Sequence, residues 1–259
     1  MRSARAMWIA ATTFAAVLSA ASPGSAQTQA TESAAMQTIE NDEMPSVGQV
    51  LTGTVTNFSR LPTRDNAVLL IAGFVAAAAV HPADSDATRT LAGNDALHEP
   101  LEPGAVVGGT PFELGAAIAA YGIGRAVNNR RVAQLGADLI QAQLMAEMLA
   151  FGVKEVVRRA RPEGSGFSFP SGHTTVSFAS ADVLQRTFGW KAGVPAYAVA
   201  SYVAASRIQT RAHYLSDVVF GAALGTVAGR TVPVSRSHRL AISPMASGDR
   251  AEVVFSLVQ

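Results

Sequence analysis

Three short segments of the chain hold residues whose types and spacing suit the handling of an anion. Lys154 and Arg161 stand seven positions apart, two turns in a continuing helix, and would then share one face. Arg161-Pro162 marks where that helix must stop, because proline disfavours helical backbone in the residue before it. Next comes Phe169-Pro170-Ser171-Gly172-His173-Thr174: a rigid proline, a hydroxyl, a glycine that admits close backbone approach, and a histidine at a helix start. Free amides and the helix dipole favour negative charge at such a turn. In the third segment Ser206-Arg207 is followed by five residues, His213, three residues and Asp217. His213 and Asp217 are four apart, adjacent on one helical face, so the carboxylate can hold one imidazole nitrogen and leave the other free to react.

Each segment alone also has a plainer account. Arg158 and Arg159 would make the first a solvated basic face, the second is equally a capped helix start, and Asp217 after Ser216 is equally an ion-pair or capping residue. Together they supply three cations, an anion-binding turn and two histidines, of which only His213 has an obvious carboxylate partner. That combination suits phosphoryl transfer, which depends mostly on positioning and electrostatic stabilisation of the phosphoryl oxygens. Lys and bidentate Arg can supply that stabilisation with no metal or other cofactor. In this chemistry His213 attacks phosphorus, His173 protonates the leaving alkoxide, and a water activated at the same place hydrolyses the phosphohistidine.

The three segments resemble the signature of the type 2 phosphatidic acid phosphatase and vanadium haloperoxidase superfamily: Lys, six residues, Arg-Pro; then Pro-Ser-Gly-His; then Ser-Arg, five residues, His, three residues, Asp. Lys154 to Pro162, Pro170 to His173 and Ser206 to Asp217 match it at every specified position and in order. The resemblance implies an all-helical core and a pocket in which Lys154, Arg161, Ser171, Gly172 and Arg207 bind phosphate. It also implies His213 as nucleophile, Asp217 as its partner and His173 as the acid. The activity it leads us to expect is a metal-independent phosphomonoesterase acting on a lipid phosphate or a phosphorylated small molecule. An exported chain with short helices is similar to the soluble bacterial acid phosphatases, while the last third also resembles membrane-bound lipid phosphatases. Two alternatives are a vanadate-dependent haloperoxidase, a branch whose members are much larger, and a non-catalytic membrane protein that binds lipid phosphates, against which the intact reactive set argues.

The elements that must position these residues read as helices. Hydrophobic spacing and start signals predict them at about 46–59, 65–80, 111–127, 131–159, 172–187, 191–208 and 213–230. Thr110, Pro111 and Glu113 read as a capping box for the third. In the fourth, Leu135, Leu139, Ala142, Met145, Leu149 and Val153 form one apolar stripe. The stretch from His81 to Gly109, rich in Pro, Gly, Asp and Asn, reads as an irregular loop with a short helix, placed where it could cover a pocket. Beyond Arg230, Leu240–Ile242 and Glu252–Val258 are β-prone runs around the turn Ser247-Gly248-Asp249, a small hairpin. The expectation is an all-α bundle over 45–232 with a C-terminal extension at 233–259 that holds the hairpin.

The first 26 residues have the layout of a secretory signal peptide: Arg2 and Arg5, an apolar run from Met7 to Leu18, then Gly24-Ser25-Ala26, with cleavage expected after Ala26. A polar, flexible stretch at 27–44 follows. The chain carries 20 basic and 19 acidic side chains, so loss of the leader's arginines leaves it nearly neutral and nucleic acid is not an expected partner. With no cysteine, disulfides and thiolate metal sites are excluded. Hydrophobic residues make up 49%, yet the charge-to-charge intervals Asp65–His81, Glu113–Arg125, Lys191–Arg207 and Asp217–Arg230 all fall short of the roughly 20 residues of a membrane span. They read as buried helices of a periplasmic or secreted bundle that could touch a membrane surface, with an integral membrane protein as the alternative.

Overall fold

The computed structural model describes residues 44–234, together with the backbone of 239–247 and 250–258. The predicted leader 1–26 and the stretch 27–43 lie outside the described residues.

The chain forms helices α1 (Val47–Ser59), α2 (Arg64–Val80), α3 (Asp84–Ala92), α4 (His98–Leu101), α5 (Pro103–Val107), α6 (Thr110–Ala126), α7 (Arg130–Val157), α8 (Gly172–Phe188), α9 (Trp190–Gln209) and α10 (Leu215–Thr231), then strands β1 (Arg239–Ser247) and β2 (Arg250–Val258). The strands pair antiparallel, with Arg239 opposite Val258 and Ser247 opposite Arg250. The all-α bundle and its hairpin therefore stand as expected.

Local start signals explain several boundaries. Ser46 and Gln49 make a reciprocal capping box on α1, Thr63 caps α2 and Asn129 caps α7, each satisfying amides that a helix start leaves without partners. At α6 the expected box is absent. Gly109 is the cap residue, with no side-chain bond to the helix. Thr110 instead donates to Glu147, and Glu113 accepts from Ser177 and Ser180 of α8. A buried carboxylate gains more from two hydroxyl donors across the bundle than from a local amide.

The core is made of small residues. Ala142, Met145 and Ala146 of α7 pack with Val176, Ala179 and Val183 of α8 and with Ala228 and Val232 at the end of α10. Leu135, Leu139 and Leu149 cover this cluster, so the stripe predicted on α7 is the buried one. On α10, Gly221, Gly225 and Gly229 recur every four residues and face α8. A Cβ on Gly225 would lie 2.1 Å from the Thr175 carbonyl oxygen, and one on Gly229 2.6 Å from that of Ala179. The two backbones meet there, which only glycine permits. Because His213 precedes α10 and the Ser171–His173 turn begins α8, this contact sets the separation of the two.

The stretch 81–109 is more ordered than expected. It holds α3, α4 and α5 with short 3-10 turns at His81–Ala83 and Asp95–Leu97. Asp84 and Asp86 at the start of α3 and Arg89 in its last turn complement its dipole, a signal that the local Pro and Gly content masked.

The apolar intervals are not all buried. Val68, Ile71, Phe74 and Val75 of α2 are about 60% exposed, and Phe112, Ile118 and Ile123 of α6 and Phe151 and Val156 of α7 are exposed as well. The expectation of buried helices thus fails for much of α2 and α6, because counting residues between charges says nothing about which faces find a partner.

Candidate active site

All eight residues singled out above gather at one end of the bundle, but two reach it by routes the sequence periods did not show. Helix α7 stops at Val157, since Arg158 takes the left-handed conformation with φ 50°. Arg161 is therefore off the helix. The chain turns back on itself, with an isolated bridge between Ala160 and Phe167 and a bond from the Ser168 N–H to the Arg159 carbonyl at 2.7 Å. Lys154, in the last turn of α7, closes this loop by donating to the carbonyls of Phe167 and Ser168, each at 3.3 Å, and of Pro170. Arg161 Nε donates to the Phe167 carbonyl at 3.3 Å, while its NH1 pairs with Glu163.

His213 likewise sits before its helix. Tyr214 is the cap residue of α10, and Asp217, in the first turn, accepts the Tyr214 N–H through Oδ2 at 2.8 Å. The same Oδ2 lies 3.7 Å from His213 Nδ1, and both side chains are buried. The two residues are thus brought together by a helix cap rather than by a helical turn. The His213 N–H is held by the Arg207 carbonyl at 3.1 Å.

The Ser171 turn is tied to the same place, because the Ser171 N–H donates to the Asp217 carbonyl at 3.1 Å. Ser171 Oγ caps α8 and accepts from the Thr174 hydroxyl at 2.9 Å, leaving its own O–H as a donor. Gly172 and His173 occupy the first positions of α8, where amides have no intrahelical acceptor and the dipole favours an anion. The His173 side chain bonds to the backbone of Ala105. That contact depends on α5 lying close to α9: a Cβ on Gly104 would stand 2.6 Å from Ser206 Cβ, and one on Gly108 2.2 Å from Val203 Cγ1.

The electrostatics follow from burial and crowded cations. Burial, then Arg161, brings Lys154 down to about 8. Burial, then Arg207, His213 and Arg161, lowers His173 to about 4. Burial also depresses His213, with Asp217 opposing and Lys154 and Arg207 reinforcing. For both histidines burial, and then the surrounding positive charges that a phosphate would offset, disfavours the charged form. The Arg207 Nε is buried without a protein acceptor, a donor free for an anion.

Two residues that the sequence reading passed over belong here. Arg159 donates to Asp217 Oδ1 at 2.9 Å and Ser216 Oγ at 2.8 Å, and its NH2 reaches Asp84 Oδ2 at 2.8 Å. Asp84 also accepts from the Ser216 N–H and hydroxyl. No sequence period links Asp84 to a residue more than a hundred positions away; Arg159 lay inside the first segment but read as part of a solvated face.

The fold is a helical bundle, and the candidate residues meet where α7 ends and α8 and α10 begin. Residues 154–240, the segment carrying the three signature motifs, match the model of the PAP2 superfamily. Over 99 residues the chain is 38% identical to lipid A 1-phosphatase of Porphyromonas gingivalis, covering 37% of this chain and 22% of that protein. Over 98 residues it is 36% identical to decaprenylphosphoryl-5-phosphoribose phosphatase of Mycobacterium tuberculosis, covering 34% of this chain and 54% of that protein. The chain thus spans about a fifth of the first relative and about half of the second. A crystal structure of a transmembrane PAP2 type phosphatidylglycerolphosphate phosphatase from Bacillus subtilis superposes with a TM-score of 0.56 at 22% identity, covering 66% of this chain and 94% of that one. That likeness establishes the fold.

Proposed function

We propose that this protein is a phosphatase that hydrolyses a phosphomonoester through a phosphohistidine at His213, with Lys154, Arg161, Arg207 and the first amides of α8 holding the phosphoryl oxygens. The observation that carries the reading is a buried histidine whose Nδ1 side faces Asp217, with Lys154 and Arg207 near enough to act on its charge and the start of α8 bonded to Asp217. Nε2 of His213 attacks phosphorus as the bond to the leaving oxygen breaks, and His173 gives that oxygen its proton. Neutral His173 then takes a proton from water as the water oxygen attacks phosphorus. The P–N bond breaks and phosphate leaves, with His173 protonated again. An anion beside His173 reverses the cationic pressure that lowers it, so substrate itself makes the acid available. The relatives named above are phosphatases, which supports the same reaction class.

A lipid phosphate is the substrate class the surface favours. The exposed apolar side chains of α2 and α6 would lie in hydrocarbon, and the helical stretch Arg64–Ala92 is long and apolar enough to cross a membrane. From Arg64 to His81 the rise is roughly 26 Å at 1.5 Å per residue, close to the about 30 Å of a bilayer's hydrocarbon. Asp84, just past that apolar stretch, bonds to Ser216 at the start of α10. The pocket would then lie at the level of lipid headgroups, outside the spanning segment.

The test is a pair of measurements on protein prepared in detergent and on membranes. Phosphate should be released from phosphatidate or an isoprenoid phosphate, and an acid-labile phosphoprotein should be trapped that is lost in His213→Ala. Full activity in His213→Ala would refute the mechanism. Release from soluble phosphomonoesters alone, by protein that stays soluble without detergent, would refute the lipid assignment.

A further inference from the structure

We infer that Asp84 and Arg159 are positioning residues for the nucleophile: they lock the Asp217 carboxylate in place and leave a single net negative charge beside His213. The inference rests on the reading of His213 as nucleophile and deepens it. Asp217 is fully buried and Asp84 nearly so, while the Arg159 side chain is 23% exposed. One guanidinium thus bridges two buried carboxylates, with its face 4.0 Å from the centre of the Tyr214 ring. Tyr214 is the cap residue whose amide holds Asp217 Oδ2. Every polar atom of Asp217 is thereby engaged: Oδ1 by Arg159, Oδ2 by the cap amide, with His213 Nδ1 at 3.7 Å. The carboxylate cannot rotate away from the imidazole.

The charge balance is as important as the geometry. Arg159 alone would cancel Asp217 and leave His213 facing only Lys154 of α7 and Arg207 of α9, which oppose an imidazolium, and the His173 ring of α8. Asp84 compensates for Arg159. It accepts from the Ser216 N–H at 2.7 Å, the Ser216 hydroxyl at 2.6 Å and Arg159, donors that offset the cost of burying a carboxylate. The segment 81–92 is thus tied to the start of α10. It carries the counter-charge that keeps Asp217 effective.

The test uses the intact protein and compares pH profiles of kcat/KM for wild type, Asp84→Asn, Arg159→Gln and Arg159→Lys. Removing Asp84's charge should move the acidic limb, set by deprotonation of His213, to lower pH by roughly one unit. It should also lower kcat with KM little changed. Removing the Arg159 charge should move the same limb to higher pH, and Arg159→Lys should keep the wild-type limb while losing kcat, because an ammonium cannot bridge both carboxylates. A purely structural role would lower activity in all variants without opposite shifts. Limbs that move together, or not at all, overturn the inference. Should Asp84→Asn fail to fold, an Arg159→Gln limb that stays put or falls overturns it alone. His213→Ala run beside these separates the outcomes: activity there would refute the nucleophile, whereas inactivity with no opposite shifts would refute only the role of Asp84 and Arg159.

Discussion

Replacing Gly225 by alanine tests whether the α8–α10 contact sets the active geometry. The added Cβ would sit 2.1 Å from the Thr175 carbonyl oxygen and 3.0 Å from Phe178 Cβ. Interiors pack too tightly to absorb that locally, so restoring contact requires the helices to part by about 1 Å. Gly225 lies two turns beyond Asp217, and Thr175 one turn beyond Ser171, so the motion separates His213 from the phosphate turn. A misplacement of about 1 Å can cost on the order of 100-fold in rate, or roughly 2.7 kcal/mol of transition-state stabilisation. Overpacking adds about 1–3 kcal/mol of lost stability. The control is Gly115→Ala on α6, where the added Cβ meets nothing within 4 Å; it should keep full activity and gain up to about 1 kcal/mol from helix propensity. Activity and thermal unfolding are measured on both. A folded Gly225→Ala with kcat/KM within about twofold of wild type would refute the idea that this contact fixes the site.

Lys154→Met should lower kcat by about 100- to 1,000-fold, the usual cost of losing one donor to a developing charge, and should raise proteolysis of the 158–171 loop that Lys154 holds by its carbonyls. Limited digestion of the variant checks the second effect. His173 is lowered from 6.5 to about 4 in the folded chain, so the unfolded chain binds the extra proton first. Its contribution to stability is present above about 6.5 and declines as pH falls toward about 4, a slope that should flatten in His173→Asn when melting is followed against pH. Ile71→Lys, on the exposed face of α2, should cost about 2.5–3.5 kcal/mol of membrane insertion if that face meets hydrocarbon. Unchanged recovery in the membrane fraction would count against a lipid setting.

Much of the fold was legible because helix periods and caps are local. The predicted helices at 46–59, 172–187 and 191–208 end within one residue of α1, α8 and α9. Errors fell where a distant partner replaced a local one or where a helix began or ended elsewhere than the spacing implied. Thr110 and Glu113 spell a capping box, yet both bond across the bundle. His213 and Asp217 are spaced for a helical face, yet they meet across a cap. Lys154 and Arg161 are spaced for two helical turns, yet a left-handed Arg158 ends the helix and a return loop brings Arg161 back.

What the sequence by itself determined is the candidate set: the types and order of Lys154, Arg161, the Ser171–His173 turn, Arg207, His213 and Asp217 are what the proposed phosphate site rests on. Only the tertiary structure decided which other groups surround that set. Asp84 lies 133 positions before Asp217, and no local period can couple them. Their shared partner Arg159, and the bonds from Ser216 to Asp84, exist only because α3 packs beside the start of α10. The same holds for the outer surface. An apolar face on α2 is visible in one dimension, but whether a neighbouring helix covers it is a property of packing, and packing leaves Val68, Ile71 and Phe74 outside.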